Sequence, residues 1–281
     1  YRFIYKIYQQ NRFSSFYHLQ NHFRFDINLC FYLMRFFVSF DEPADKEKAL
    51  ELSNELSLEL FCKDDSKLSK AFEDDYFLVC SQEQLFLRKG LRKNSRPIFS
   101  DFDDWARNYD DLLLRNALKG LPKSFSCLDV TAGFGKDSLE ISKLSNCESL
   151  VLLEKEKWLC KILEDGMKIA RSTRTQNLVK KFEIINTDNL KFLEGNKSNF
   201  DLIYIDPMFF GVSKSKAKKH MQALRDLSSK LEDSQILGKC LKLAKNRIVI
   251  KRHKNMHYLE SFRPTRSIEG KVIRYDIYSI I

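Results

Sequence analysis

The sequence predicts an α/β protein: a mostly parallel sheet covered by helices, closed by a C-terminal antiparallel hairpin and preceded by a small N-terminal α+β subdomain. Three observations predict it. From residue 125 onward, strand-like apolar runs alternate with helix-forming stretches, the pattern of parallel strands joined by helical crossovers. The first of these strands runs into Thr131-Ala132-Gly133-Phe134-Gly135 and then a helix. A later apolar strand ends in Asp206-Pro207.

The elements follow in order. Residues 1–33 are rich in Tyr, Phe, Arg, Gln and Asn and are expected to lie outside the conserved domain, as an over-extended start or a flexible tail. The apolar run from Ile27 to Phe40 is broken by Arg35 and is too short to span a membrane. No basic region, apolar core and cleavage site follow one another as in a secretory signal. Phe36–Phe40 reads as an opening strand, and residues 46–60 as a helix with Leu52, Leu56 and Leu60 on one face. Short strands are expected at Tyr76–Cys80 and Gln84–Arg88, which completes a subdomain over 34–102. A helix-like stretch then opens the main domain, 103–281, and Gly120 and Pro122 stop it near Leu118.

Within the main domain, strands are expected at 126–130, 149–153, 182–186, 200–205 and 247–251. Helices are expected at 136–144, 156–172, 189–194 and 234–244, and a final hairpin pairs 265–269 with 272–279.

Composition bounds the function classes. Of 281 residues 43% are apolar, enough for one large domain with a small appendage and too many for global disorder. Lys and Arg number 48 against 38 Asp and Glu, a net +10. That balance fits a polyanion partner through counterion release, or simply a basic surface; charge alone does not choose. Cys30, Cys62, Cys80, Cys127, Cys147, Cys160 and Cys240 form no Cys-x-x-Cys pair. This argues against a structural metal site or a disulfide framework and for free thiols in a reducing cytoplasm.

Four clusters carry the chemistry. In Asp129-Val130-Thr131-Ala132-Gly133-Phe134-Gly135-Lys136-Asp137, a strand passes through a glycine turn into a helix N-terminus. This is the first turn of a Rossmann-like nucleotide unit, without the third glycine of the dinucleotide fingerprint. A tight structural turn would look similar. Glu154 ends the next strand, where a carboxylate can accept hydrogen bonds from ribose hydroxyls or simply face water. Asp188-Asn189 sits at the next strand's carboxyl edge, placed to contact an adenine amine, to cap the following helix, or both.

The most specific cluster is Asp206-Pro207-Met208-Phe209, delivered by the apolar strand Leu202-Ile203-Tyr204-Ile205. It has the form of the Asp/Asn-Pro-Pro-aromatic motif of amino-group methyltransferases. An exocyclic amine is a poor nucleophile because its lone pair is conjugated into the base. Acceptors at Asp206 and the Pro207 carbonyl would turn that lone pair toward a methyl donor, and Phe209 would stack on the base. A plain Asp-Pro turn is the alternative. Two basic segments flank the motif: Lys214, Lys216, Lys218 and Lys219 after it, and Lys251-Arg252 at the end of another strand. Both read as RNA phosphate contacts or as solvated charge.

These residues resemble the bacterial RsmJ-type methyltransferases, which methylate the exocyclic N2 of a guanine in 16S ribosomal RNA. The resemblance runs from about residue 40 to 280. Besides the clusters above, it rests on Leu153-Glu154-Lys155, Ile248-Val249-Ile250-Lys251-Arg252, Arg274-Tyr275-Asp276-Ile277-Tyr278, Gln84-Leu85-Phe86-Leu87-Arg88-Lys89 and Ser100-Asp101-Phe102. It implies a class I S-adenosylmethionine-dependent fold and a donor site of Asp129, Thr131, Gly133, Gly135, Lys136, Asp137, Glu154, Lys155, Asp188, Asn189 and Asp206. Lys136 and Lys155 stand where the family usually has arginine, Phe210 where it usually has proline, and residues 103–116 lack its glycine-rich stretch.

The reaction expected is direct methyl transfer to a guanine N2 of small-subunit ribosomal RNA, free or in the subunit, with Asp206, Pro207 and Phe209 at the reacting centre. It needs no metal and no membrane. The competing readings are methylation of another amino group (adenine N6, in DNA or RNA, or a protein glutamine), a catalytically decayed RNA-binding or ribosome-assembly protein, and a nicotinamide dehydrogenase.

Overall fold

The computed structural model describes residues 35–62, 72–90, 95–207, 223–224, 226–227 and 235–280. The chain divides into two units, Tyr1–Arg35 and Phe36–Ile281, and every element below belongs to the second. The expectation for residues 1–33 falls outside the described residues.

The smaller sheet comes first. β1 (Phe36–Phe40) is the expected opening strand, with Phe37, Val38 and Ser39 buried. α1 (Lys46–Leu56) turns Ala49, Leu52 and Ser53 inward. It is shorter than the sequence pattern predicts, because Ser57 takes a left-handed φ of 54° and ends it. The chain then extends as β2 (Glu59–Leu60), parallel to β1. β3 (Tyr76–Cys80) and β4 (Leu85–Lys89) form an antiparallel hairpin, and the sheet order is β2-β1-β3-β4. Phe37, Phe72, Phe77 and Phe86 give this sheet its own aromatic core, with Phe37 and Phe77 stacked at 5.5 Å.

The helix expected up to Leu118 is two helices, α2 (Phe102–Asn108) and α3 (Leu112–Ala117). Each starts at an aspartate cap: Asp101 accepts the Asp104 N–H and Asp111 the Leu114 N–H. The second cap breaks the run, and Tyr109 between the helices is extended.

The larger sheet begins at β5 (Phe125–Asp129). It continues through α4 (Lys136–Ser142), β6 (Cys147–Glu154), α5 (Lys157–Ile169), α6 (Thr173–Val179), β7 (Phe182–Asn186), α7 (Asn189–Gly195) and β8 (Phe200–Ile205). After α8 (Ile236–Leu243) come β9 (Ala244–His253), β10 (Arg266–Glu269) and β11 (Ile273–Ser279). The helix expected at 156–172 ends at Ile169, and Ser172 caps the separate α6 by accepting the Thr175 N–H.

Strand order is β10-β11-β9-β8-β5-β6-β7. β5 to β9 pair in parallel, while β11 runs antiparallel to both β9 and β10. This is the α/β, Rossmann-like architecture read from the sequence. Helices cover both faces, so β8 is apolar on both: Leu202, Ile203, Tyr204 and Ile205 are all buried. One face, with Leu128, Ile203, Ile205, Ile248 and Ile250, packs on Leu237 and Cys240 of α8. Register puts Asp129, Tyr204, Val249 and Lys251 on the other.

The chain first moves from β5 outward to β6 and β7, then returns to place β8 on the opposite side of β5. The order therefore reverses between β5 and β8, and the crevice beyond their carboxyl ends is where such sheets bind ligands.

Candidate active site

The turn leaving β5 is held from inside. Asp129 accepts the Thr131 N–H at 3.0 Å on one oxygen and the Ser138 hydroxyl on the other. Burial pushes its carboxyl up to about 7, against the lowering effect of those two hydrogen bonds. Asp129 is 1% exposed, so it braces the turn and presents no oxygen to a ligand; its expected contact with the methyl donor is corrected to that structural role. Gly135 closes the turn at φ 80°, as the residue before α4. A Cβ there would lie 2.8 Å from Leu163 Cδ2 and 3.1 Å from the Phe102 ring, so conformation and space both demand glycine.

The turn also meets the neighbouring strands. The Gly133 N–H donates to Glu154 Oε2 at 3.1 Å, and Glu154 Oε1 accepts the Glu156 N–H at 2.8 Å. Burial raises the Glu154 carboxyl to about 7, opposed by these backbone donors. Thr131 Oγ1 accepts the Asp206 N–H at 2.7 Å, which ties the end of β8 to the glycine turn. Asp188 caps α7 through the Leu190 and Lys191 N–H groups and pairs with Lys155 at 3.3 Å. Burial works against its ionisation, but these partners outweigh it and its carboxyl lies below the usual range. Asn189 is buried and donates to the Val130 carbonyl at 3.3 Å, so it fixes α7 to the same turn. The Lys136 ammonium sits 3.8 Å from the centre of the Tyr109 ring, a cation–π contact.

At the centre lies a cluster the sequence reading missed. Lys251 Nζ is 2.6 Å from Asp137 Oδ2 and 2.9 Å from Asp206 Oδ2. Tyr204 donates to Asp137 Oδ2 at 2.7 Å, and Tyr109 approaches Asp137 Oδ1 at 3.5 Å. Tyr275 donates to Asp111 Oδ2 at 2.8 Å, within reach of Tyr109. Burial disfavours a charge on Asp137, yet the Lys251 ammonium and the Tyr204 hydroxyl overcome it and hold its carboxyl below the normal range. Burial and the Asp137 charge raise the Asp206 carboxyl, and Lys251 only partly offsets them.

Two expectations about RNA contacts are therefore corrected. Lys251 points between two carboxylates, which leaves a net negative cluster that repels phosphate. Arg252, next along β9, points to the opposite face; it is 5% exposed and donates to the His257 carbonyl at 2.8 Å. The strand's alternation was the available signal. Phe209, Lys214, Lys216, Lys218 and Lys219 lie outside the described residues. Pro207 is described and buried, directly after Asp206.

Residues 62–280 match the family model of SAM-dependent methyltransferases. The chain belongs to that family. S-adenosylmethionine is its cofactor. Among curated relatives, a ribosomal RNA small subunit methyltransferase J from Coxiella burnetii is 31% identical over 252 residues, 86% of this chain and 95% of the relative. One of the same name from Francisella tularensis subsp. novicida is 28% identical, covering 76% of this chain and 95% of that one. A crystal structure of a SAM-dependent methyltransferase from Neisseria gonorrhoeae shares the fold, with a TM-score of 0.63 and 20% identity, over 86% of this chain and 95% of that one.

The residues present suit this cofactor. Its ribose hydroxyls need acceptors, and Glu154 retains lone pairs beyond its bonds to the Gly133 and Glu156 N–H groups. Its sulfonium and ammonium are cationic, and the Asp137–Lys251–Asp206 cluster carries a net negative charge. Among the described residues, no group of acids, cysteines and histidines is arranged to hold a metal ion, and no helix is long and apolar enough to cross a membrane.

Proposed function

We propose that this methyltransferase acts on the exocyclic N2 of a guanine in small-subunit ribosomal RNA, in the cytoplasm. The observation that carries the reading is the position of Asp206. It ends β8 at the sheet's switch point, is tied to the glycine turn through Thr131, and is followed by Pro207. Lys251 occupies its Oδ2, whereas Oδ1 accepts no hydrogen bond among the described residues. The names of the curated relatives support the choice of ribosomal RNA.

S-adenosylmethionine supplies the methyl group as a reactive sulfonium. Glu154, Asp188 and Asn189 hold it at the carboxyl ends of β6 and β7, and Lys136 and Lys155 flank it. Asp206 Oδ1 accepts one N–H of the target amine, and the Pro207 carbonyl accepts the other. Both acceptors draw the amine out of conjugation and aim its lone pair along the transfer line. Pro207 stiffens that geometry because its φ is fixed. Phe209 stacks on the extruded base, and Lys214, Lys216, Lys218 and Lys219 meet backbone phosphates. Catalysis is mostly positioning, because the methyl donor is already reactive.

The test is mass mapping of ribosomal RNA methylated in vitro. Wild-type protein adds one methyl to a guanine of 16S RNA or the small subunit, read as N2-methylguanosine after digestion. Asp206→Ala lowers the rate on the order of 100-fold or more with an unchanged circular dichroism spectrum. Wild-type turnover in that variant removes Asp206 from the reaction, and a methyl on adenine or on protein overturns the choice of acceptor.

A further inference from the structure

The sequence offers Lys251 as a surface cation for RNA, and the structure gives it to two carboxylates instead. We infer that Lys251 is a positioning residue, which fixes the acceptor carboxylate of Asp206 to the donor-side residue Asp137. This inference rests on the reading of Asp206 as the amine acceptor.

The geometry is specific. Register pairs Ile205 with Ile250, so the next residues, Asp206 just past β8 and Lys251 still within β9, lie side by side. Asp137 arrives from the first turn of α4, directly after the glycine turn. The single Lys251 ammonium bonds Oδ2 of each acid, at 2.6 and 2.9 Å. It thereby joins three segments: the glycine turn and α4, the end of β8, and the end of β9.

Each acid is left in a different state. Both oxygens of Asp137 are taken, by Lys251 and Tyr204 on one side and by Tyr109 on the other. Asp137 is thus spent on structure. Asp206 has Oδ2 taken by Lys251 and accepts no hydrogen bond on Oδ1 among the described residues, so the clamp fixes which oxygen faces the amine. Without the ammonium, two half-buried carboxylates would share one crevice, which favours uptake of a proton by one of them. A protonated Asp206 is a weaker acceptor for the target amine than the carboxylate. Burial would strip the charge from Lys251, but the two carboxylates hold its ammonium well above the usual lysine range. Among the described residues, the other ionisable groups near the clamp are Tyr275 on β11, Tyr204 on β8, Tyr109 and Asp111 between α2 and α3, Lys136 on α4, and Asp129 at the end of β5, which feels the charges of Asp137 and Asp206. The three tyrosines are raised, chiefly by burial, and stay neutral near pH 7. The clamp is the charge that sets Asp206.

Five proteins test this: wild type, Lys251→Met, Lys251→Arg, Asp206→Asn and the double variant Lys251→Met/Asp206→Asn. Single-turnover methylation of the small subunit is measured across pH, and titration calorimetry gives the dissociation constant for S-adenosylmethionine. In Lys251→Met, the methylation rate falls on the order of 100-fold. Its pH profile also shifts upward, because Asp206 now needs a higher pH to ionise. Lys251→Arg, which keeps the charge, recovers part of the rate. In the Asp206→Asn background, Lys251→Met costs much less, because its target is gone.

The ligand-free proteins give a readout independent of turnover. By urea unfolding, the stability effects of Lys251→Met and Asp206→Asn are non-additive if the two residues are coupled. Wild-type rate and pH profile in a folded Lys251→Met, or equal effects of Lys251→Met with and without Asp206, overturn the inference. Wild-type rate in Asp206→Ala, which offers no acceptor oxygen at all, overturns instead the amine-acceptor reading on which it rests. Should Lys251→Met fail to fold, Lys251→Arg decides: it keeps the charge, so its pH profile stays at the wild-type position, and an upward shift in it overturns the inference.

Discussion

Replacing Gly166 by alanine sets two opposing effects against each other. In an ordinary helix interior, the change from glycine to alanine stabilises by roughly 0.5–1 kcal/mol, because glycine loses more freedom on folding. Gly166 is not in an ordinary place. It lies in α5 beneath the loop that carries Ser100, and an added Cβ would sit 2.6 Å from the Ser100 carbonyl oxygen and 2.7 Å from Ser100 Cβ. It would also come within 3.2 Å of the Phe102 ring. The oxygen is backbone and cannot rotate away, so helix and loop must separate. Overpacking of this kind costs about 1–3 kcal/mol, and the backbone clash puts it at the upper end. Subtracting the helix gain leaves a net loss of about 2 kcal/mol.

The displacement reaches the donor site. Ser100 Oγ donates to the Phe134 carbonyl at 2.9 Å, inside the glycine turn, and Phe102 packs on Gly135. Moving the loop therefore moves the turn. Urea unfolding of Gly166→Ala should show a lower midpoint at unchanged slope, and calorimetry a weaker affinity for S-adenosylmethionine. A variant as stable as wild type, or more so, refutes the reasoning, since it would mean the loop yields freely.

Two further expectations concern pH and a buried arginine. The Glu154 carboxyl titrates at about 7 in the free protein, and its ionised form is the better acceptor for ribose hydroxyls. Donor affinity should therefore rise with pH, by about tenfold between pH 6 and pH 8, as the ionised fraction grows. Calorimetry on Glu154→Gln should give a flatter profile, and a wild-type slope in that variant would assign the titration to the buried Asp129, also raised to about 7. Arg247 is 8% exposed and donates to the carbonyls of Ala117, Lys119 and Gly120, which fasten the end of α3 to β9. Arg247→Ala should lower unfolding stability by about 3 kcal/mol, as three carbonyls lose a charged partner. Donor affinity should stay unchanged, and a loss of affinity without a loss of stability would contradict the structural role.

What the sequence disclosed was what local pattern controls. The alternation from residue 125 onward foretold the strands of the larger sheet, most plainly the central ones such as β8, because parallel strands buried on both faces are apolar throughout. The glycine turn was legible because Gly135 needs its conformation for local reasons. Asp206-Pro207 was legible because it ends a strand. What stayed hidden depends on partners far along the chain. Lys251 and Arg252 looked like one basic patch, although adjacent residues on a strand face opposite sides. Tyr204 looked like one more apolar strand residue, but its hydroxyl reaches Asp137. Asp129 looked like a ligand contact, but Ser138, in the following helix, takes one of its oxygens. The break between α2 and α3 was also missed: Asp111 is a capping residue in a stretch of otherwise good helix formers.

The cluster around Lys251 also bears on how the molecule comes apart. Its contacts close very long loops: 114 residues separate Lys251 from Asp137, and 164 separate Tyr275 from Asp111. Such contacts form only after the intervening strands have docked, so the site is completed late in folding. Its parts come from β8, β9, β11 and the first turn of α4, so most of it is anchored in the sheet. Loss of activity on heating or in urea then tracks collapse of the whole sheet, and the enzyme's own turnover becomes a gauge of global folding.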